Sequence, residues 1–156
     1  MGEKKEVNTE RVFNAPLERV WQAWTDPEQV AKWWGPNGTS SVKCIWEARP
    51  GGKTQTIVKA GEMYGPAAGT EWQSAGEFKE VVPQEKLVFT NNPILNGEPV
   101  AEHLTTVIFE EQGGRTKVSM RNLITTAKDT PEAKGALDGI PMGWNQQLDK
   151  LGELLK

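Results

Sequence analysis

The chain has 156 residues, which is the length of one domain with a continuous hydrophobic core. Its 37% hydrophobic and 25% charged residues are typical of a soluble globular protein, and its net charge of -3 comes from 18 basic and 21 acidic residues mixed along the sequence. The sequence has no basic cluster for a nucleic acid, no apolar run near the ~20 residues of a membrane span and no secretory signal, so we expect a cytoplasmic protein.

The first 36 residues predict one strand followed by two short helices. Residues Glu6 to Phe13 alternate as a strand does, and Pro16 opens a helix with an apolar stripe at helical spacing. Asp26 and Pro27 then have the pattern of a helix cap and first turn, and Gly35 and Pro36 end the second helix.

The next part of the chain predicts six strands, because its apolar residues repeat with a period near 2 between Gly, Pro and Asn clusters. These strands are placed near 40–48, 53–62, 71–82, 85–91, 101–110 and 115–124. The segment from Pro93 to Pro99 is expected to be a mobile surface loop. Thr130 and Pro131 cap a long amphipathic helix, with a kink or a fresh start expected at Pro141. Strands and helices segregated in this order predict an α+β domain with helices on one face of an antiparallel sheet.

Alternation also assigns one face of each strand to the interior. The third of the seven predicted strands is ambiguous, and its neighbouring turns favour Thr54 and Thr56 inward. The residues assigned to the inner face are Val42, Cys44, Trp46, Ala48, Thr54, Thr56, Val58, Trp72, Ser74, Gly76, Phe78, Leu87, Phe89, His103, Thr105, Val107, Phe109, Val118, Met120 and Asn122.

This inner face mixes large rings with hydroxyl and amide groups. A buried polar group without a partner costs about 1 to 3 kcal/mol, so a wet or ligand-filled cavity would explain the mixture. A sheet simply covered by the helix, with its hydroxyls bonded to backbone or water, is the alternative. The candidate ligand-binding residues are Trp46, Thr54, Thr56, Trp72, Ser74, Phe89, His103, Thr105, Met120, Asn122 and Trp144.

The small number of cysteine and histidine residues limits the chemistry that the chain can perform. Cys44 is the only cysteine and His103 the only histidine, so a disulfide is excluded within the chain and no metal or cofactor is expected. His103 is interpreted as a general base, a ligand anchor or a structural histidine, and Cys44 as a small buried residue. One ring of the Trp33 and Trp34 pair is expected in the core and the other partly exposed, and Arg121 faces outward. No pair of inward carboxylates is predicted, and no catalytic residue is assigned.

Several motifs resemble one protein family along nearly the whole chain. These motifs are Ala15-Pro16, Ala23-Trp24-Thr25-Asp26-Pro27, Trp33-Trp34-Gly35-Pro36, Arg49-Pro50-Gly51-Gly52, Gly76-Glu77-Phe78, Val82 to Thr90, and Gly143-Trp144 to Leu148-Leu151. The chain resembles homologues of the activator of the heat-shock protein 90 ATPase, a branch of the SRPBCC (START and Bet v 1-like) superfamily. The resemblance implies a single helix-grip domain over 1–156, with a seven-stranded antiparallel sheet gripping the C-terminal helix and a cavity between them. Thr54 and Thr56 depart from the family pattern and imply a more polar cavity, and Trp46 is a separate departure where the family often has an acidic residue nearby.

Three functions remain open from the sequence. The first is a binding or carrier protein for a small apolar or aromatic molecule held between the sheet and the C-terminal helix. The second is a chaperone-linked or stress-response interaction module, which follows from the family likeness and an exposed tryptophan. The third is an enzyme, such as a cyclase, hydrolase or isomerase, that uses His103. A homodimer also remains open.

Overall fold

The computed structural model describes residues 2–156, which form nine strands and three α-helices. The strands are β1 (Lys4–Phe13), β2 (Thr39–Trp46), β3 (Lys53–Ala60), β4 (Glu71–Val82), β5 (Lys86–Thr90), β6 (Asn92–Leu95), β7 (Glu98–Pro99), β8 (Ala101–Gln112) and β9 (Arg115–Thr126). The helices are α1 (Leu17–Thr25), α2 (Pro27–Trp33) and α3 (Pro131–Leu154), and a short 3-10 segment spans Glu62–Ala67.

One antiparallel sheet forms the body of the domain. Seven strands follow the order β1-β9-β8-β5-β4-β3-β2, and each pair of neighbours in this order is antiparallel. The helices pack on one face of the sheet, and their apolar side chains join those of the sheet in a single core that includes Trp24, Phe89, Phe109 and Leu148. The predicted α+β class and the helix-grip arrangement are therefore confirmed.

The strand count differs from the predicted seven, because a small hairpin occupies the segment expected to be a loop. The strands β6 and β7 pair with each other, and β6 also pairs with β4. Asn96 and Gly97 join them with φ angles of 55° and 80°. Two consecutive positive φ angles match the turn that closes two-residue hairpins, for which Asn-Gly is the preferred sequence.

The helix boundaries follow the predicted capping residues. The Asp26 carboxylate accepts a hydrogen bond from the Glu28 backbone N–H at 3.0 Å, and the Thr130 hydroxyl accepts one from the Ala133 N–H at 3.2 Å. The helix α3 runs through Pro141 as one element, so the fresh start considered there does not occur. The Thr130 cap before Pro141 and the buried face after it stabilise both halves of the helix.

Two predicted orientations are wrong. Val42 is 51% exposed, because the register of β2 against β3 shifts between Ser41 and Lys43 and the alternation of faces is interrupted there. Trp33 and Trp34 are both buried, with 0% and 8% of their surface exposed, whereas one of them was expected at the surface. Trp33 lies on α2, but Trp34 has already left the helix with an extended ψ angle of 148°, so the two rings point into the interior from different backbone conformations.

Candidate functional site

A cavity of about 510 Å³ lies between the inner face of the sheet, the segment after α2 and the helix α3. This volume falls within the ~300 to 1,000 Å³ of typical small-molecule sites. Three indole rings, those of Trp34, Trp72 and Trp144, line it. The rings of Trp34 and Trp144 meet edge to face with centroids 5.1 Å apart, so two walls of the cavity support each other.

The helix α3 contributes three glycines to the lining of the cavity. Gly135, Gly139 and Gly143 are spaced four residues apart, line the cavity, and lie on one face of the helix. A Cβ atom added to any of them would meet nothing within 4 Å. Gly135 and Gly139 are exposed and Gly143 is half-buried, so the cavity opens to solvent along this side of the helix.

A loop after α2 closes the same side of the cavity and is bonded to α3. The Gly35 N–H donates to Gln147 Oε1 at 2.8 Å, and the Asn37 N–H donates to Gln146 Oε1 at 2.7 Å. Lys150 Nζ donates to the carbonyl oxygen of Trp34 at 3.3 Å. Two of these bonds connect α3 to the Trp-Trp-Gly-Pro motif, and the third connects it to Asn37, the residue after the motif.

Buried polar side chains line the cavity without charged partners. Thr56, Asn91 and Gln147 are only 3%, 3% and 6% exposed, and all three line the cavity. Gln147 uses its oxygen for the Gly35 N–H. Its amide nitrogen and the Thr56 hydroxyl donate to no acceptor within residues 2–156, and both residues line the cavity, so both groups are available to a molecule in it.

His103 reaches the cavity from β8 and is held by two polar neighbours. Its Nε2 lies 2.7 Å from Asn122 Oδ1, and the Thr105 hydroxyl donates to the same oxygen at 2.8 Å. Burial lowers the pKa of His103, and hydrogen bonds to the Asn122 side chain and the Asn91 backbone oppose part of that shift. The imidazole is therefore neutral at pH 7, with a proton on one of its two ring nitrogens.

The structure brings together some of the candidate residues and separates others. Those that line the cavity are Thr56, Trp72, Ser74, His103 and Trp144. Those that lie outside its lining are Trp46, Thr54, Phe89, Thr105, Met120 and Asn122, all of them buried.

The residues outside the lining have packing or hydrogen-bonding roles. Trp46 Nε1 donates to the Trp24 carbonyl oxygen at 2.8 Å, and the Trp46 ring contacts Phe89 with centroids 5.0 Å apart. The Thr54 hydroxyl donates to the Thr90 carbonyl oxygen at 2.8 Å. Several of the inward hydroxyls thus bond to protein groups, as the alternative interpretation of the sequence expected.

Trp72 is at the mouth of the cavity and not in the interior. Its side chain is 38% exposed, and its ring packs edge to face on Tyr64 with centroids 5.1 Å apart. Tyr64 belongs to the 3-10 segment, and its hydroxyl donates to the Asn37 carbonyl oxygen at 2.6 Å. The mouth therefore connects the sheet edge to the loop that is bonded to α3.

Of the 17 residues that line the cavity, 12 were not among the candidates from the sequence, although two signals were present. Three glycines at intervals of four in a predicted helix are unfavourable for helix formation and so call for a reason. The second signal was Gln147, a polar residue beside Leu148 on the apolar stripe of the helix. Trp34 and Asn91 had no comparable signal, since their positions depend on how the loop and β5 meet α3.

Cys44 and Arg121 lie outside the cavity lining, and Cys44 is half-buried where a buried residue was predicted. Burial raises the pKa of the Cys44 thiol to about 11, so this residue is a poor nucleophile. Arg121 is exposed and pairs with Glu6 at 2.8 Å. Among residues 2–156, no three His, Cys, Asp or Glu side chains converge as metal ligands. Over the same residues, none of the helices has the length and apolar character to cross a membrane.

The fold and the cavity define a class of protein, namely helix-grip α+β domains with an interior space under the C-terminal helix. Residues 14–156 match the family model described as activator of Hsp90 ATPase homolog 1-like protein. The chain therefore belongs to the activator of Hsp90 ATPase homologue 1-like family, within the SRPBCC superfamily.

Solved structures with the same fold come from several bacteria. Protein CV1439 from Chromobacterium violaceum is 27% identical, with a TM-score of 0.78 and 96% of both chains covered. Protein NE0264 from Nitrosomonas europaea is 24% identical, with a TM-score of 0.73 and coverage of 96% of this chain and 93% of that one. The AHSA1 protein SPO3351 from Silicibacter pomeroyi is 20% identical, with a TM-score of 0.77 and 97% of both chains covered. Curated proteins include no significant match to this chain.

Proposed function

We propose that this protein binds an uncharged small molecule with an apolar or aromatic body in the cavity between the sheet and α3, as a binding or carrier protein. The observation that carries the proposal is a pair of donors on buried side chains that have no protein acceptor, the Thr56 hydroxyl and the Gln147 amide nitrogen, inside a cavity walled by indole rings. Buried polar groups are almost always hydrogen-bonded, so these groups favour an occupant that bonds to them.

The charge distribution limits the kind of molecule. None of the residues lining the cavity is Asp, Glu, Lys or Arg, and His103 is the only titratable side chain among them. Its pKa is lowered by burial, so it contributes no charge at pH 7. An ionised ligand would lose its hydration there without gaining an opposite charge, which makes a neutral ligand the better fit.

Native mass spectrometry of the freshly purified protein tests the proposal, followed by titration of tryptophan fluorescence with lipids, aromatic metabolites and polyketides. A co-purifying mass or a saturable response is expected. The Gly139→Leu variant should abolish either signal, because its side chain enters the cavity. Gly152→Ala is the control, since Gly152 is on the same helix but outside the cavity lining. An empty protein that responds to none of the probes would refute the proposal.

Catalysis is a second candidate, favoured by the position of His103 in the lining with its ring oriented by Asn122. A neutral imidazole beside a bound molecule has the properties of a general base. If the protein converts its ligand, mass spectrometry will detect a product in the wild type and not in His103→Gln. Retention of conversion by the variant would refute this role.

Chaperone contact is suggested by the family description alone. Of the Trp33 and Trp34 pair, the ring expected at the surface is buried, so this pair does not support a chaperone contact. Stimulation of a chaperone ATPase by this protein would support this function.

A further inference from the structure

The two edges of the sheet differ in how open they are to another strand. The strand β2 forms one edge, and its register shifts between Ser41 and Lys43, a bulge that interrupts the row of backbone groups there. The strand β1 forms the other edge and, among residues 2–156, pairs with β9 alone. It runs from Lys4 to Phe13 with no shift against β9 and contains no proline. Bulges and prolines protect many edge strands from pairing with a further chain, and β1 has neither.

The backbone groups on the open side of β1 belong to alternate residues. The Thr126 N–H donates to the Glu3 carbonyl oxygen at 2.9 Å, so Glu3 is hydrogen-bonded to β9. In an antiparallel pair such residues alternate with residues whose N–H and C=O groups point away from the partner strand. Since the register is unbroken, the exposed residues that direct both groups at the free edge are Lys4, Glu6, Asn8, Glu10 and Val12.

The charges along β1 suit pairing with a second copy of the same strand. In a continuous sheet the two-fold axis passes through a residue, because only then do opposed side chains share a face. With the axis at Val7, Lys4 lies opposite Glu10 of the second copy, and Glu6 lies opposite Asn8 of the second copy. Lys4 has no salt-bridge partner among residues 2–156, and Glu10 pairs only with Lys117, at 3.5 Å. This arrangement therefore adds an opposite-charge pair at each end of the interface.

Neighbouring positions of the axis are less favourable. An axis at Glu6 places that carboxylate opposite its own copy, and an axis at Asn8 places Glu6 opposite Glu10 of the second copy. Like charges directly opposite each other destabilise a strand pair. An axis at Thr9 avoids like charges but forms no opposite-charge pair. Val7 is therefore the position about which the charges of β1 are self-complementary.

An exposed apolar side chain lies beside the same edge. The helix α3 is joined to β1 by Asp138, which pairs with Lys5 at 3.0 Å, and by Asp149, which pairs with Arg11 at 2.7 Å. Met142 lies four residues after Asp138 and seven before Asp149, so it is on the same face of the helix. Its side chain is 63% exposed. A copy that approaches the edge of β1 also meets this apolar side chain.

From these observations we infer that β1 is a dimer interface, at which two copies of this chain join their sheets edge to edge about a two-fold axis at Val7. The residues that exchange backbone N–H···O=C bonds are Lys4 with Glu10 and Glu6 with Asn8, each pair formed twice. None of these residues lines the cavity, so the inference goes beyond the proposed binding function. One pair of edge strands is a small interface, so the dimer is weak, with a dissociation constant in the micromolar range.

Sedimentation velocity over a concentration series tests the interface. The mass of the wild type should rise from the 17.3 kDa of one chain toward twice that value. Asn8→Pro removes an N–H that faces the free edge and no bond to β9, so the fold should survive, as checked by circular dichroism. Its dissociation constant should rise about 10-fold, because each dimer loses two backbone hydrogen bonds.

Charge reversal tests the position of the axis. Lys4→Glu should weaken the dimer about 10-fold, because it opposes like charges at both ends of the interface. Lys4→Glu combined with Glu10→Lys opposes unlike charges again and should recover most of the affinity. Lys43→Glu is the matched control, since Lys43 is an exposed lysine on β2 at the other edge of the sheet, and it should dimerise as the wild type does.

Three outcomes would overturn the inference. The first is the mass of a single chain at every concentration up to the millimolar range. The second is a dimer that both Asn8→Pro and Lys4→Glu leave intact, or that Lys43→Glu weakens more than Lys4→Glu does, since the interface would then lie elsewhere. The third is a double variant that stays as weak as Lys4→Glu, which would contradict the axis at Val7. Lys4→Glu changes only an exposed side chain, so the test holds even if Asn8→Pro does not fold.

Discussion

The backbone N–H of Gly35 donates to the side-chain oxygen of Gln147 at 2.8 Å and joins two residues 112 positions apart. This bond connects the loop after α2 to the C-terminal helix at the edge of the cavity. It orients the Gln147 amide, so that its nitrogen is left for a ligand. A change in the loop conformation at Gly35 would therefore also change the orientation of the Gln147 amide in the cavity.

The first prediction concerns the loop conformation at Gly35. Its φ angle is +90°, and an added Cβ would lie 2.5 Å from the Thr39 hydroxyl oxygen. Gly35→Ala should lower the free energy of unfolding by about 1 to 3 kcal/mol, measured by urea denaturation, and should weaken ligand binding. Gly51→Ala is the control, because Gly51 has a φ of +82° but nothing within 4 Å, and it should be the milder change. Equal losses in both variants would show that contact with Thr39 is unimportant.

The second prediction concerns the cost of the cavity-lining glycines on α3. Gly139→Ala should raise the free energy of unfolding by up to ~1 kcal/mol, because alanine favours the helix and its methyl group enters open space. The melting temperature should rise by about 2 to 4 °C for a domain of this size. Gly152→Ala should be similarly stabilising, since its Cβ meets Phe13 only at 3.9 Å. A melting temperature that falls in Gly139→Ala would mean that the space beside this residue is not open.

The third prediction concerns pH and His103. Because burial lowers the pKa of His103 in the folded protein, the unfolded chain binds more protons as pH falls below about 6.5. Stability should therefore decrease from pH 7.5 to 5.5, with a slope of up to about 1.4 kcal/mol per pH unit below pH 6.5. His103→Gln should flatten this part of the profile, measured by urea denaturation at each pH. His103 is the only histidine, so parallel profiles would contradict its burial in neutral form.

The fourth prediction concerns the reactivity of Cys44. With its pKa raised to about 11 by burial, about 0.3% of this thiol is ionised at pH 8.5, against roughly half of an unperturbed thiol. Iodoacetamide should modify the native protein at least 100-fold more slowly than the urea-unfolded protein, followed by mass spectrometry. Equal rates in the two states would show that the thiol is open to solvent.

Local patterns in the sequence were sufficient to predict most of the helices and strands of the fold. The order of strands and helices and the inward faces of β8 and β9 follow from periodicities of 2 and 3.6 residues, which depend only on backbone geometry. The caps at Asp26 and Thr130 were likewise local, because a cap bonds to a backbone N–H two or three residues away. Val42 was misassigned because a bulge breaks the period, and the neighbouring strand decides where a bulge falls.

The tertiary structure alone decided which inward residues meet a cavity. Thr54 and Thr56 share one face of β3, yet Thr54 bonds to the Thr90 carbonyl oxygen and Thr56 lines the cavity. This difference depends on where α3 crosses the sheet, and α3 lies more than 70 positions away along the chain. The sequence by itself determined the elements and their faces, because these depend on neighbouring residues. The composition of the cavity lining depends on the distances between the sheet, the loop after α2 and α3, and only the packing of these elements sets those distances.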